Sequence, residues 1–251
     1  MSNLFFNLPS IQRGIIGHRG MSAQAPENTL AGFKKAAQFG LSWVEFDTQR
    51  CASEEWVVFH DEKLDRTTNG TGLVIDTPYK TLKTLDAGSW FHPQFKNERV
   101  STLQDTLSCL ADLKLHPNIE LKVFEQPLSI EAIADFLNVL HNAWPKDLPP
   151  PLVSSFDLKS LKILRSLDNK LPLGYIVRNP TENTLDKILE AGFDSLHCDN
   201  QNFSPALLDK ATSKSIALPV LVYTVNDPNR MKTLLQKGVT AVFSDVTDVI
   251  I

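Results

Sequence analysis

Cysteine is scarce in this chain, three in 251 residues, at positions 51, 109 and 198. Odd in number and without CxxC spacing, they read as free thiols in a reducing cytoplasm. Long apolar runs are missing too: none approaches the roughly 18 residues of a membrane span. Met1 to Ser10 carries no basic segment ahead of a hydrophobic one, so no secretion signal is predicted. There is no basic excess; the net charge of -4 excludes the electrostatic footprint of a nucleic-acid binder. No GxxxxGK[ST] loop is present, which excludes nucleotide hydrolysis by that route, and no GxSxG elbow supports a serine hydrolase. What remains, 42% hydrophobic and 22% charged, is an ordinary globular composition.

The rest of the chain is organised around Ile15-Ile16-Gly17-His18-Arg19-Gly20. A short apolar run, read as a buried strand, ends in a residue that moves protons near neutral pH and one that grips phosphate through paired hydrogen bonds. Gly20 allows the sharp turn that ends the strand. Further strand-length runs occur at 43–48, 118–123, 151–156, 172–177, 194–198, 219–225 and 241–245. Helical spacing follows all but the last, beginning with Asn28 to Phe39 and continuing near 103–113, 129–142, 157–168, 182–191, 204–213 and 227–237. Eight such units predict a closed parallel (β/α)8 TIM barrel spanning 1–251, with a doubly wound sheet as the alternative.

One connection breaks the rhythm. Residues 49–102, between the second strand and its helix, far exceed the usual loop of about 2–6 residues and predict a small inserted subdomain over the cleft. Trp56-Val57-Val58-Phe59 reads as a strand of its own. A hairpin turning at Ala52–Glu55 sets residues 47 and 60 opposite each other and so delivers His60 to Asp47. Trp90, Phe91 and Phe95 are the expected apolar anchors of the insertion.

The chemistry sits at strand ends. Period two places Glu45 and Asp47 on one face of the second strand, and Glu120 with Lys122 repeats the pattern on the third. Three acids facing one lumen repel unless a cation neutralises them, and a hard divalent ion, Mg²⁺ or Ca²⁺, suits their oxygens. With His18, His60, Arg19 and Lys122 added, the set suits phosphoryl chemistry: cations neutralise charge on phosphorus while imidazoles pass protons.

His18-Arg19-Gly20 with Ala25-Pro26-Glu27-Asn28-Thr29 resembles the opening signature of the glycerophosphodiester phosphodiesterase family. Glu45-Phe46-Asp47, Val57-Val58-Phe59-His60-Asp61, the run Leu64 to Gly72, Glu120-Leu121-Lys122, Val153-Ser154-Ser155-Phe156, Tyr223-Thr224-Val225-Asn226 and Phe243-Ser244-Asp245 follow in the family's order. The resemblance implies a TIM-type barrel that hydrolyses small glycerophosphodiesters to glycerol 3-phosphate and an alcohol, by water attack or through a cyclic phosphate. It implies His18 and His60 as the acid–base pair, Glu45, Asp47 and Glu120 as metal ligands, and Arg19 and Lys122 as phosphate contacts. It also implies a cytoplasmic protein of the small bacterial type. Tyr223 stands where the family commonly has tryptophan, Ser101 replaces a frequent proline, and Val246-Thr247 replaces a usual basic-proline pair. The other readings are a lysophospholipase D-like enzyme, for which no basic amphipathic segment speaks, and a non-catalytic metal-binding barrel.

Overall fold

The structure, a computed structural model, describes residues 14–124, 127–213 and 216–246. The strands are β1 (Ile15–Gly17), β2 (Trp43–Arg50), β3 (Trp56–Val58), β4 (His116–Leu121), β5 (Leu152–Ser155), β6 (Leu173–Val177), β7 (Ser195–Asp199), β8 (Val220–Tyr223) and β9 (Ala241–Ser244). The helices are α1 (Leu30–Gln38), α2 (Tyr79–Leu82), α3 (Leu103–Asp112), α4 (Ile130–Ala143), α5 (Leu158–Leu167), α6 (Glu182–Ala191), α7 (Pro205–Thr212) and α8 (Pro228–Gln236). All strands but β3 run parallel in the order β1-β2-β4-β5-β6-β7-β8-β9, and β9 pairs back onto β1 through Ile15–Val242, Ile16–Phe243 and Gly17–Ser244. The sheet is therefore a closed TIM barrel, and the doubly wound alternative falls. The predicted tail after the last strand lies outside the described residues from 247 onward.

Local chemistry starts the helices where the spacing places them. Thr29, Thr102, Ser129, Asp157, Ser204 and Asp227 each accept the backbone N–H three residues ahead. Between barrel and helices, outward-facing Ile15, Val44, Phe46, Ile119, Val153, Leu196 and Val242 meet Phe33, Leu107, Phe136, Leu161 and Leu234 in one continuous core. Inside the barrel the alternation divides the lumen. Its floor holds Ile16, Trp43, Leu152, Leu221 and Phe243. Two residues further along β1 and β2, the same inward face presents His18 and Glu45. That change from apolar to polar, one step along each strand, positions the site at the carboxyl-terminal mouth.

The hairpin differs from expectation. β3 pairs antiparallel with β2 as Thr48–Val58, Gln49–Val57 and Arg50–Trp56. Phe59 N–H then reaches Asp47 O at 3.0 Å, so residue 59, not 60, lies opposite Asp47. The loop closes over Ala52–Glu54, one residue shorter than predicted, because Glu54 adopts a left-handed φ of 73° and Cys51 pairs with Glu55. The segment that follows packs around Val57, Phe59, Leu64, Val74, Leu82 and Val100. Trp90, Phe91 and Phe95 instead stack edge-to-face on one another, with Trp90 40% exposed; they do not anchor that core.

Gly20 adopts φ 90°, and a Cβ there would stand 2.8 Å from the backbone carbon of Gly32. Gly20→Ala is expected to destabilise the fold by about 1–3 kcal/mol, read as a lower urea midpoint with an unchanged slope.

Candidate active site

His18 emerges from β1 with its backbone N–H on Ser244 O at 2.8 Å, so barrel closure itself fixes its place. The turn behind it is tight, with Arg19 at φ 54°. Its Nδ1 lies 2.7 Å from Asp245 Oδ1, and that carboxylate also accepts Ser22 Oγ–H (2.7 Å) and Asn226 Nδ2–H (2.7 Å). Burial works against the Asp245 charge, but these hydrogen bonds, the His18 one foremost, hold its carboxyl well below the usual range. With Nδ1 engaged, Nε2 is the His18 nitrogen left to exchange a proton.

Glu45, Asp47 and Glu120 converge. Asp47 and Glu120 are register partners across β2 and β4, and one carboxylate oxygen from each of the three acids lies within 4.8 Å of the others. Asn28, itself at φ 55°, clamps Asp47 by donating Nδ2–H to Oδ2 (2.9 Å) while its Oδ1 accepts the Asp47 backbone N–H (3.1 Å). Lys122, one residue past β4, sits 2.7 Å from Glu120 and 3.4 Å from Asp47. Arg19 Nε lies 3.5 Å from Asp47. Among the described residues, Glu45 receives only the Arg19 backbone N–H, at 2.9 Å. The electrostatics follow from this unequal sharing. Burial and the Asp47 charge push the Glu45 carboxyl up, and burial with Asp47 pushes Glu120 up against the pull of Lys122. Asp47 goes down despite burial, because Lys122, Arg19 and His60 surround it.

His60 follows the β3 ladder and still reaches the site. Gln49, buried on β2, donates Nε2–H to Phe59 O (3.0 Å) and Asp61 O (2.8 Å), fixing the backbone on both sides of His60. The His60 Nδ1 is 2.6 Å from Asp61 Oδ1. Arg66 donates to Asp61 and to Glu27, and Glu27 Oε1 in turn accepts Arg19 Nη1–H at 2.7 Å. Burial, helped by the Arg19 and Lys122 charges, outweighs Asp47 and Asp61 and lowers the His60 pKa. The His18 pKa is raised: burial opposes its charge, but Asp245 and Glu45 prevail. The two imidazoles therefore lean in opposite directions.

His18, Arg19, His60, Glu120 and Lys122 all line one cleft of about 660 Å³, which Phe124, Phe156 and Tyr223 also line. Glu45 lines a smaller chamber of about 40 Å³ that also borders His18, Glu120 and Tyr223. Arg19 Nε and Tyr223 Oη are buried with no hydrogen-bond partner among the described residues. The structure thus brings all seven predicted residues to one mouth. Asp245, Asp61, Asn28, Glu27 and Arg66 were not singled out as site residues from sequence. Asp245 had a signal, since closing strand 241–244 beside strand 15–17 sets residue 245 next to 18; Arg66 and Glu27 had none beyond their motifs.

The model of the glycerophosphoryl diester phosphodiesterase family matches residues 18–249. The chain belongs to that family. It is accordingly a phosphoric diester hydrolase, which sets aside the reading of a non-catalytic barrel. It is 31% identical over 244 residues to the glycerophosphodiester phosphodiesterase of Caldanaerobacter subterraneus subsp. tengcongensis, covering 94% of this chain and 96% of that one. Among solved structures, an Oleispira antarctica phosphodiesterase in complex with the product sn-glycerol-3-phosphate is 36% identical, with a TM-score of 0.89 over 96% of this chain and 95% of that one. The glycerophosphodiester phosphodiesterase of Agrobacterium tumefaciens is 26% identical, with a TM-score of 0.76 over 92% of this chain and 95% of that one. No helix among the described residues of this family member is long and apolar enough to cross a membrane.

Asp245 fixes the His18 ring through Nδ1, and Asp245→Asn is expected to lower kcat by roughly 10²-fold or more. The check is steady-state kinetics alongside a thermal melt showing the fold intact.

Proposed function

We propose that this enzyme hydrolyses small glycerophosphodiesters to glycerol 3-phosphate and an alcohol, with a divalent metal, two histidines and two cationic side chains sharing the work. The observation that carries the proposal is the convergence of three carboxylates, two of them buried, and two acid-paired imidazoles on a single barrel mouth. The similar Oleispira enzyme holds sn-glycerol-3-phosphate as its product, which suits the same substrate class here.

The donor set fits a metal ion. All three acids offer hard oxygens, and Glu45 has no side-chain cation among the described residues within hydrogen-bonding distance, although it is buried beside Asp47. Glu45, Asp47 and Glu120 would hold Mg²⁺ or Ca²⁺. Bound there, such an ion supplies Lewis acidity and charge neutralisation for the phosphoryl oxygens. The chain's own residues do the rest. Arg19, whose buried Nε makes no hydrogen bond among the described residues, and Lys122 bind and orient the diester phosphate. His18 and His60, each fixed through Nδ1, use Nε2 to move protons: one takes a proton from the attacking oxygen, whether of water or of a substrate hydroxyl, and the other gives one to the departing alcohol. Phe124, Phe156 and Tyr223 wall the side of the cleft where the alcohol portion would lie. We also place the protein in a reducing cytoplasm, which its unpaired cysteines, Cys51 and Cys198 among them buried, would suit.

Incubation with glycerophosphocholine and a divalent salt should release glycerol 3-phosphate, measured by a coupled assay. His18→Ala and His60→Ala should each cost roughly 10²–10⁴-fold in turnover; unchanged rates in both would remove the rings from the mechanism. Chelation should abolish turnover and added Mg²⁺ or Ca²⁺ restore it, whereas activity surviving thorough chelation would mean the carboxylates do not serve a metal.

A further inference from the structure

We infer that Arg66 is a positioning residue that holds both halves of the site in register: the ring of His60 and the guanidinium of Arg19. The inference rests on the reading of His60 and Arg19 given above. Arg66 is not among the residues lining the cleft. Its guanidinium instead makes two forks. One fork donates Nε–H and Nη2–H to Asp61 at 2.6 and 3.0 Å; the other donates Nη1–H and Nη2–H to Glu27 at 2.7 Å each. Each acid then turns a second contact inward. Asp61 Oδ1 meets His60 Nδ1 at 2.6 Å, and Glu27 Oε1 accepts Arg19 Nη1–H at 2.7 Å. Charges alternate along the string Arg19, Glu27, Arg66, Asp61, His60, and one fork-shaped cation is its midpoint.

The support behind Arg66 is stiff. Leu64 is 2% exposed in the core of the insertion, and Thr67 and Thr68 are buried at 5% and 7%. Thr68 returns both its backbone N–H and its Oγ–H to Leu64 O, at 3.1 and 2.8 Å, closing a turn with Arg66 at its outer side. The Arg66 side chain itself is 46% exposed. Ion pairs that exposed add little to fold stability, so the value of this geometry lies in the orientation of what it touches. Without Arg66, Asp61 is free to rotate away from His60 Nδ1. Glu27 likewise loses two of its three cationic contacts, leaving Arg19 with the nearby Asp47 at 3.5 Å as its competing partner. Lysine offers charge but not two planar forks, so it cannot substitute.

The test compares Arg66→Ala and Arg66→Lys with the unaltered protein. Turnover of glycerophosphocholine by the unaltered protein checks the underlying reading. Both variants should keep a thermal midpoint close to that of the unaltered protein yet lose roughly 10–100-fold in kcat/KM, the size typical of residues that orient a site's ligands. In a Glu27→Gln/Asp61→Asn background, Arg66→Ala should add no more than a twofold further loss. Independently of activity, the ¹⁵N imidazole resonances of His60, assigned by its substitution, should shift or broaden in Arg66→Ala while those of His18 stay in place. Full activity of Arg66→Lys would overturn the inference in favour of a simple charge effect. An undiminished loss in the double background would do so in favour of direct action on substrate. Unmoved His60 resonances would overturn it even if no substrate were turned over.

Discussion

Three carboxylates set side by side in the lumen of a barrel are the constraint from which the rest of the site follows. Removing an unpaired ion from water costs several kcal/mol even after the surroundings relax. Glu45 and Asp47 are only 4% and 1% exposed. Asp47 is met by Lys122, Arg19 and the Asn28 clamp, Glu120 by Lys122, and Glu45 by one backbone N–H. Lys122 and Arg19 attend chiefly to Asp47 and Glu120, which leaves a deficit of positive charge at Glu45 that His18 meets only in part. The apolar floor beneath, with Ile16, Trp43 and Phe243, keeps water from making up that deficit from below.

The two imidazoles are held by the same device in different settings. His18 has Asp245, fixed by Asn226 and by the pairing of β9 with β1. His60 has Asp61, fixed by Gln49 at its backbone and by Arg66 at its carboxylate. One ring belongs to the barrel and the other to the hairpin that leaves it. Their relative placement therefore depends on how β2 continues past the barrel rim into β3, and Gln49 and Thr48 bind that continuation to the insertion with side-chain hydrogen bonds to Phe59, Asp61 and Val57 carbonyls.

The barrel was legible because its signals are periodic: strand-length apolar runs alternating with capped helices carry the topology whatever the details between them. The acid trio was legible for the same reason, since period two dictates which side chains share a face. The hairpin register was not. It turned on Glu54 taking a left-handed conformation that glycine or asparagine would have advertised. Trp90, Phe91 and Phe95 misled because hydrophobicity alone does not say whether aromatic rings pack inward or on each other; Leu64, Val74 and Leu82 form the core instead. Glu27, Asp61 and Arg66 are ordinary surface charges in a one-dimensional reading, and only the folded chain turns them into a string.

The contact between His18 and Asp245 spans 227 positions, from the first strand of the barrel to the last. A ribosome delivers the imidazole with the first strand of the barrel and its carboxylate only after the last. Every intermediate length of nascent chain therefore lacks the tether for that ring, whatever else has already collapsed around it. That tether arrives in one step, with the docking of β9 into the gap beside β1, and a chain cut short before residue 241 would lose it along with the strand that closes the cylinder.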